Sequence, residues 1–435
     1  MNLVKSKVVL LPCREYDEEK IYMLLKQGLD FLGGVETLIP KDAKILLKPN
    51  LLKKAEVEKA VITHPVVVGA FAGILRESGY ENIVLADSCG HGTTQAVIRG
   101  TGMDTYLEKY HIPAVDYSEG VKTAYPQGVQ AKEFILPKEL LEQDCVISLS
   151  KMKTHALERI TGAVKNSYGF IYGFHKAKGH TQYPSADSFA RMLIDLNKCV
   201  APKLYVMDGI VAMEGNGPGS GDPVPMNVLL MSTDPVALDS VFSRLVYLKP
   251  EMVPTNYHGE KMGLGTWKEE EITLLAPDGE ISMVEAVKKY GNPAFNVDRT
   301  EVRKNIWTRM AGALNIFQKK PYIEADKCVR CGICVQSCPV PGKAVDFRKG
   351  KGKPPDGESR ICDMVTHILH IRKIAGSEVL AIGSDFDGVE SRMEIDSPAK
   401  MVMLYETLHQ TGLSEDELEK IFYKNAQRVL TAVLR

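Results

Sequence analysis

The chain has 435 residues, a formal net charge of −1 at pH 7 and nine cysteines, with 44% hydrophobic and 25% charged residues. This length indicates two or three domains, and the balanced charge argues against bulk attraction to nucleic acid or to an anionic membrane. No apolar run approaches a membrane span, and the short apolar start turns charged at once, which favours a first strand over a signal peptide. Nine cysteines, four of them in one closely spaced run, fit a reducing compartment better than a disulfide-bonded scaffold. We therefore expect a cytoplasmic protein.

The first three hundred residues alternate short apolar runs with helical patterns. Strands are predicted at residues 7–11, 43–48, 83–87, 144–149, 203–208 and 227–232. Helices are predicted at residues 18–32, 65–78, 185–199 and 235–246. Strands separated by helices indicate parallel βαβ units, so residues 1–297 are expected to form an α/β domain with a mostly parallel sheet flanked by helices. In such a sheet the ligand lies beyond the carboxyl ends of the strands.

Several basic residues fall at those strand ends. K-P-N follows the second strand, K-M-K-T-H follows the fourth, and T-G-A-V-K-N comes shortly after it. Lysine is a compact charge suited to carboxylates and phosphates, and histidine exchanges protons near neutral pH. We therefore expect a small anionic organic molecule to bind here, with His155 acting in proton transfer. The expected binding residues are Lys48, Asn50, Lys151, Lys153, Lys165 and Asn166.

Two further segments carry candidate catalytic carboxylates. Glu214 lies in the glycine-rich run 213–223, which departs from the dinucleotide and P-loop signatures and so supports no nucleotide site. Asp234 precedes Pro235 and is placed either to act in the site or to cap the helix that begins there. Glu214 or Asp234 is the expected partner of His155, although polar residues of this kind are also common in solvated turns.

A cysteine run is the most specific motif of the chain. Cys328, Cys331, Cys334 and Cys338 stand in the pattern C-x2-C-x2-C-x3-C-P, the bacterial ferredoxin spacing for a [4Fe–4S] cluster. A zinc site usually shows two separated C-x2-C pairs instead. We expect one cluster per chain with Cys338 as the fourth ligand, while Cys362, or no fourth ligand at all, remains an alternative.

The chain changes character after the α/β domain. Residues 298–320 are predicted as a helical connector, residues 321–349 as a ferredoxin-like segment, and residues 350–360 as a basic linker rich in Gly and Pro. Residues 361–435 show amphipathic helical patterns, with a short apolar strand predicted at 379–382.

A resemblance covers residues 7–297. The motifs K-P-N, T-H-P, A-D-S, K-x-K-T-H, T-G-x-x-K-N, D-G, E-G-x-G-P and D-P-V-A-x-D occur in that order, and together they resemble the family called domain of unknown function 362. The family often carries a ferredoxin segment after this domain. It is distantly similar in fold to nickel-dependent lactate racemase, which implies a cleft for small organic acids but assigns no nickel role to any residue here. The second cysteine run usual in the family is absent from this chain.

The tail resembles a different family, membrane (renal-type) dipeptidase. The matching stretches are C-D-M-V-T-H-I-L-H-I, A-I-G-S-D-F-D-G, L-S-E-D-E-L-E-K-I and N-A-Q-R-V-L. The resemblance implies a fragment of a (β/α)8 barrel with a two-zinc site, in which Asp385 would be the one retained catalytic-site residue. The zinc-binding histidines and the bridging glutamate are missing, so dipeptidase activity is not expected and a rearranged or artificially joined sequence is the favoured origin.

Taken together, the sequence predicts a cytoplasmic iron–sulfur protein with a redox or electron-transfer role. The cluster is expected to exchange electrons with a redox partner protein and with the small anion bound in the α/β domain. The first alternative is a non-catalytic ferredoxin-like electron carrier or docking partner. The second, disfavoured by the missing zinc ligands, is a metallodipeptidase.

Overall fold

The computed structural model describes residues 5–90, 92–173, 175–300, 358–383, 392–395 and 397–433. The chain divides into two units, whose described parts are residues 5–300 and residues 358–433. Cys328, Cys331, Cys334, Cys338 and Asp385 lie outside the described residues, so the predictions for them stay predictions.

The N-terminal unit is an α/β structure. Its strands are β1 Ser6–Pro12, β2 Ile45–Pro49, β3 Ile83–Leu85, β4 Gly120–Ala124, β5 Glu133–Pro137, β6 Cys145–His155, β7 Arg159–Thr161, β8 Leu204–Glu214, β9 Asp222–Ser232, β10 Ile272–Ala276 and β11 Gly279–Glu280. Its helices are α1 Glu18–Phe31, α2 Val35–Leu38, α3 Pro65–Glu77, α4 Thr94–Ile98, α5 Met103–Lys109, α6 Lys138–Leu141, α7 Ala163–Asn166, α8 His175–Gln182, α9 Ala186–Val200, α10 Pro235–Leu245, α11 Pro254–Lys261 and α12 Met283–Tyr290.

The main sheet has the strand order β11-β10-β1-β9-β8-β6-β2-β3, with β7 paired to β6. The run β8-β6-β2-β3 is parallel, as the alternation of strands and helices predicts. Strand β9 runs antiparallel to both β8 and β1, because the glycine-rich segment between β8 and β9 makes a hairpin connection. The predicted α/β class with helices flanking a mostly parallel central sheet is confirmed.

Helices cover both faces of this sheet. Successive residues of a strand point to opposite faces, and in β1 Val9 packs with α1 and α3 whereas Val8 packs with α10. Helix α9 adds a third apolar cluster over the parallel strands. The carboxyl ends of β2, β3 and β6 are left at one edge of these layers, where loops follow each strand.

The C-terminal unit is mainly helical. It contains β12 Glu358–Ser359, α13 Ile361–Ala375, β13 Arg392–Met393, α14 Met401–Gln410, α15 Glu415–Glu419, a π-helical turn Lys420–Lys424 and α16 Asn425–Val433. A buried apolar cluster joins α13, α14 and α15. The Arg372 guanidinium donates two hydrogen bonds to the Glu417 carboxylate, at 2.7 and 2.9 Å.

The strand predicted at residues 379–382 does not form. Ser377–Val379 is a 3-10 turn, and the Ile382 amide donates to the carbonyl of Ile421 at 3.1 Å. The side-chain amide of Asn425 donates to the carbonyls of Ser377 and Leu380 at 2.7 and 2.9 Å. These groups satisfy the backbone polar atoms that a neighbouring strand would otherwise bind.

Candidate functional site

A cavity of about 660 Å³ opens at the carboxyl ends of β2, β3 and β6. It lies where ligands bind in parallel α/β sheets. The polar and charged side chains that line it are those of Lys48, Asn50, Asp87, Ser88, Cys89, His155, Lys165, Asn166, Tyr168, Lys176 and His180. Five of the residues predicted from sequence are among them: Lys48, Asn50, His155, Lys165 and Asn166.

A buried ion pair forms one wall of the cavity. The Lys48 ammonium lies 2.9 Å from Asp87 Oδ1, and the two side chains are 1% and 4% exposed. Asp87 Oδ2 also accepts the amide of Leu51 at 2.7 Å. Burial lowers the pKa of Lys48, and the neighbouring carboxylate opposes that shift. Because the pair is internally balanced, it adds little net charge to the cavity.

Two asparagines link this ion pair to a second buried lysine. Asn166 Oδ1 accepts from Lys48 at 3.0 Å and from the Asn50 side-chain amide at 3.3 Å. Asn50 Oδ1 in turn accepts from Lys153 at 2.7 Å, and Lys153 also donates to the carbonyl of Val61 at 2.9 Å. Burial, with the charge of nearby Lys165, holds the pKa of Lys153 well below its usual value. Lys153 therefore orients Asn50 from behind the cavity wall.

Within the described part of the chain, Lys165 and Lys176 are the cavity lysines that form no ion pair with a carboxylate. The Lys176 ammonium donates to the backbone carbonyl of Ser88. The Lys165 ammonium lies 5.6 Å from the ring centre of Tyr168, and across the described ranges no hydrogen-bond acceptor or ion-pair partner is found for it. Burial, reinforced by Lys176 and Lys48, lowers the pKa of Lys165 to about 8. Burial likewise lowers the pKa of Lys176 to about 8.

His155 is held as a neutral hydrogen-bond donor. Its Nδ1 accepts the amides of Leu157 and Glu158 at 3.2 and 3.1 Å, so the ring proton belongs on Nε2. Burial, with the nearby charge of Lys165, lowers the pKa of His155 to about 2. At neutral pH the ring offers an N–H to the cavity, while its other nitrogen is already occupied.

The carboxyl of Glu158 is buried in the turn that joins β6 to β7. Neither of its oxygens has a hydrogen-bond partner within the part of the chain that the structure describes. Burial raises its pKa well above the usual value, with Lys165 partly opposing the shift. Burial thus favours the neutral form of this carboxyl group, which weakens Glu158 as a charged partner of Lys165.

Lys151, predicted as a ligand residue, belongs to a different cluster. Its ammonium lies 2.8 Å from Asp208 Oδ2 and donates to the Tyr16 hydroxyl at 2.9 Å. Tyr16 also donates to Asp208 Oδ1 at 2.9 Å and stacks on His64 with a centroid distance of 3.4 Å. Lys151 is buried and does not line the cavity. The structure therefore separates it from the other predicted binding residues.

The two candidate catalytic carboxylates also lie away from the cavity lining. Asp234 caps α10, because its Oδ1 accepts the amides of Val236 and Ala237 at 2.9 Å each. Its other oxygen accepts from the Ser6 hydroxyl at 2.6 Å. Glu214 Oε2 accepts the amide of Asn296 at 2.7 Å. These contacts account for both carboxylates as fixed structural acceptors.

Sequence reasoning missed the contribution of α8. Lys176 and His180 from this helix line the cavity, and His180 stacks on Phe189 with a centroid distance of 4.6 Å. The run H-K-A-K-G-H at 175–180 places Lys176 and His180 four residues apart, a spacing that brings both to one side of a helix. That spacing was the available signal.

Among the described ranges, no group of three or more His, Cys, Asp or Glu side chains is arranged to hold a metal ion. Their helices include none that combines the length and the apolar character needed to cross a membrane.

Two families match this chain. Residues 45–244 match "Domain of unknown function (DUF362)", and residues 270–435 match "Membrane dipeptidase (Peptidase family M19)". The second match begins inside the N-terminal unit, where β10 pairs with β1. The resemblance to both families is confirmed.

Curated relatives follow the same division. "Thylakoid-associated protein sll1697" of Synechocystis is 35% identical over 264 residues, which cover 60% of this chain and 81% of that protein. "Dipeptidase ataJ" of Aspergillus terreus is 38% identical over 71 residues, or 16% of this chain and 17% of that protein. "Dipeptidase tcpJ" of Claviceps purpurea is 33% identical over 82 residues, or 19% of each chain. The chain thus spans less than a fifth of each of these two dipeptidases.

Among solved structures, the lactate racemase apoprotein from Thermoanaerobacterium thermosaccharolyticum matches at 12% identity and a TM-score of 0.38. That match covers 55% of this chain and 57% of the racemase chain. A protein from Thermotoga maritima matches at 13% identity and a TM-score of 0.34, over 56% of this chain and 59% of that one.

Proposed function

This chain belongs to the family described as "Domain of unknown function (DUF362)", a description that assigns no chemistry, and we propose that its N-terminal unit binds a small organic anion in the cavity beyond β2, β3 and β6. An iron–sulfur cluster elsewhere in the same chain would give the protein a redox or electron-transfer role coupled to that anion.

The proposal rests on the Lys165 ammonium, which has no hydrogen-bond acceptor or ion-pair partner among the described residues. Asp87 is the carboxylate among the described residues that line the cavity, and it is already paired with Lys48. Lys165 and Lys176 are therefore left as two cations that no carboxylate neutralises in an ion pair within the described residues. A partly desolvated cation without a partner is costly, and an anion of the right size offsets that cost.

The remaining lining favours an organic anion of modest size. A volume of about 660 Å³ is within the usual range for small-molecule sites. The amides of Asn50 and Asn166 are held by hydrogen bonds, and His155 offers its Nε2–H. The Tyr168 ring and the side chain of Leu52 supply apolar wall. Such a mixture suits a carboxylate or phosphate attached to a short carbon skeleton.

For the redox part, the support is the spacing of Cys328, Cys331, Cys334 and Cys338. We propose one [4Fe–4S] cluster, with Cys338 or Cys362 as the fourth ligand, that exchanges electrons with a redox partner protein. The cysteines within the described ranges are free thiols, which agrees with the reducing, cytoplasmic location that the proposal requires. Anaerobic reconstitution followed by iron and sulfide analysis should give about four irons per chain. A colourless protein, or about eight irons, would refute the single cluster.

Thermal unfolding in the presence of small anions tests the cavity. The full chain should be heated with acetate, lactate, malonate, succinate and inorganic phosphate in turn, at constant ionic strength. Binding to the folded state raises the midpoint, and Lys165→Met should abolish that rise. Lys122→Met is the matched control, because Lys122 is an exposed lysine in an exposed ion pair. No shift with any anion, or an equal shift in Lys165→Met, would overturn the proposal.

A further inference from the structure

We infer that Lys165 is a nucleophile that forms an imine with the carbonyl carbon of an oxo acid, whose carboxylate is held by the neighbouring cations of the cavity. This inference rests on the proposed function, because it names the class of anion and the reaction that the same cavity supports.

The surroundings of Lys165 set it apart from the other cavity lysines. Lys48 is bound to Asp87 and Asn166, and Lys176 donates to the carbonyl of Ser88. Lys153 donates to Asn50 behind the wall. Lys165 lines the cavity, its amine lies 5.6 Å from the Tyr168 ring centre, and in the described ranges no such bond holds it back. It is therefore the amine that a ligand meets without first breaking a hydrogen bond.

The backbone that carries Lys165 is fixed on both sides. Asp239 Oδ1 accepts the amide of Ala163 at 2.6 Å, and its Oδ2 accepts the amide of Val164 at 3.1 Å. On the other side, Asn166 Nδ2 donates to Ser148 Oγ at 2.9 Å. A side chain that projects from an anchored turn has less orientational freedom to lose when it reacts.

The protonation state of the amine suits this role. An amine attacks a carbonyl only in its neutral form, and burial together with Lys176 lowers the pKa of Lys165 to about 8. At pH 7 roughly a tenth of such an amine is neutral, against well under a thousandth for an ordinary lysine. Two cations placed side by side are a recognised way to activate a nucleophilic lysine.

The reaction balances without an oxidant or reductant. The neutral amine attacks the carbonyl carbon, a C–N bond forms, and the C=O electron pair moves to the oxygen, which takes up a proton. The carbinolamine then loses water, so that amine plus oxo acid gives imine plus water. His155 Nε2–H is a neutral donor in the same cavity and is suited to bind the oxygen as its charge develops. Lys176 is the available cation for the carboxylate.

Reductive trapping tests the inference on the full chain. The protein is incubated anaerobically with pyruvate or 2-oxoglutarate and sodium cyanoborohydride, and then digested with trypsin. Trypsin does not cleave after an alkylated lysine, so reaction at Lys165 joins two peptides into one that spans residues 160–176. That peptide should carry the added mass of one reduced oxo acid. Lys165→Arg keeps the charge but cannot form the imine, and Lys178→Arg alters an exposed lysine of α8 as the matched control.

We expect the joined peptide in the wild type and in Lys178→Arg, and its absence in Lys165→Arg. Adducts spread over exposed lysines, with no excess at Lys165, would overturn the inference. Calorimetric binding of pyruvate without any adduct would also overturn it while leaving the anion site intact. If neither binding nor an adduct is detected, the proposed function is refuted as well.

Discussion

Replacing Asp87 with asparagine measures how much the buried ion pair beside the cavity contributes to folding. The Lys48 ammonium and Asp87 Oδ1 are 2.9 Å apart, with side chains 1% and 4% exposed. At an effective dielectric constant of about 20, charges at that separation attract by about 6 kcal/mol. Much of this attraction is offset by desolvation, and removing one partner of such a pair costs about 3–5 kcal/mol.

The substitution isolates the charge. Asparagine keeps an oxygen that can accept the Leu51 amide now bound to Asp87 Oδ2 at 2.7 Å. Without the carboxylate, burial acts unopposed on Lys48, and its pKa in the folded chain falls further below its value in the unfolded chain. The unfolded chain then binds more protons at alkaline pH, so the deficit of Asp87→Asn should shrink as the pH rises toward the unfolded pKa of Lys48.

Urea unfolding of the full chain, followed by tryptophan fluorescence to which Trp267 contributes, measures the loss. Glu133→Gln is the matched control. Lys122 and Glu133 are also 2.9 Å apart, but their side chains are 67% and 56% exposed. An exposed pair contributes at most about 1 kcal/mol, so the control should change little. If Asp87→Asn loses no more stability than Glu133→Gln, the reasoning from burial is wrong.

Three further predictions concern the residues around the cavity and outside it. Asp234→Ala should lower the free energy of unfolding by about 1–2 kcal/mol, because it removes the cap of α10. It should leave anion affinity in titration calorimetry unchanged, and a loss of affinity would place Asp234 in the site. Burial holds the pKa of His155 at about 2 in the folded chain. Between that pH and the ordinary pKa of histidine, the unfolded chain binds a proton at this residue that the folded chain does not, so stability falls as the pH falls. From pH 7 to about pH 5 this effect should lower the free energy of unfolding in urea by about 2 kcal/mol, and His155→Gln should lack it. The same dependence of unfolding free energy on pH in the wild type and the variant would contradict the assignment. Gly169→Ala would drive its Cβ into the Asp87 carboxylate and within 2.6 Å of the Lys48 amine, so anion binding should fall, and unchanged binding would speak against this wall of the cavity.

The position of the cavity was predictable where it followed from strand ends. Lys48 and Asn50 follow β2, and the β6 and α7 residues His155 and Lys165 meet them because parallel strands bring their carboxyl ends to one edge. Asp234 illustrates a local rule that was sufficient, since Asp before Pro at the start of an apolar helix is a capping pattern.

The remainder depended on tertiary structure. Lys151 and Lys153 are two residues apart, and a regular strand would turn both to one face. The pairing of β6 with β8 shifts register between them, and the two lysines bind different partners, Asp208 and Asn50. The place of Lys176 in the site depends on a contact with the Ser88 carbonyl, 88 residues away, which local sequence does not encode. The antiparallel direction of β9 likewise follows from a hairpin that alternation of strands and helices does not reveal.

Calorimetric titration of the full chain with a small carboxylate that has no ketone group tests most directly whether the cavity binds a small organic anion. The other charged groups in the cavity lining are Lys48 and Asp87, which balance each other, and burial lowers the pKa of the two lining histidines, His155 and His180. Lys165 and Lys176 therefore set the pH dependence, and with pKa values of about 8 both lose their charge by about pH 9.5. The account predicts one bound carboxylate per chain at pH 7, with affinity that falls at least tenfold by about pH 9.5 and in Lys165→Met. The absence of binding across acetate, lactate, malonate and succinate, or an affinity indifferent to both pH and Lys165, would contradict it.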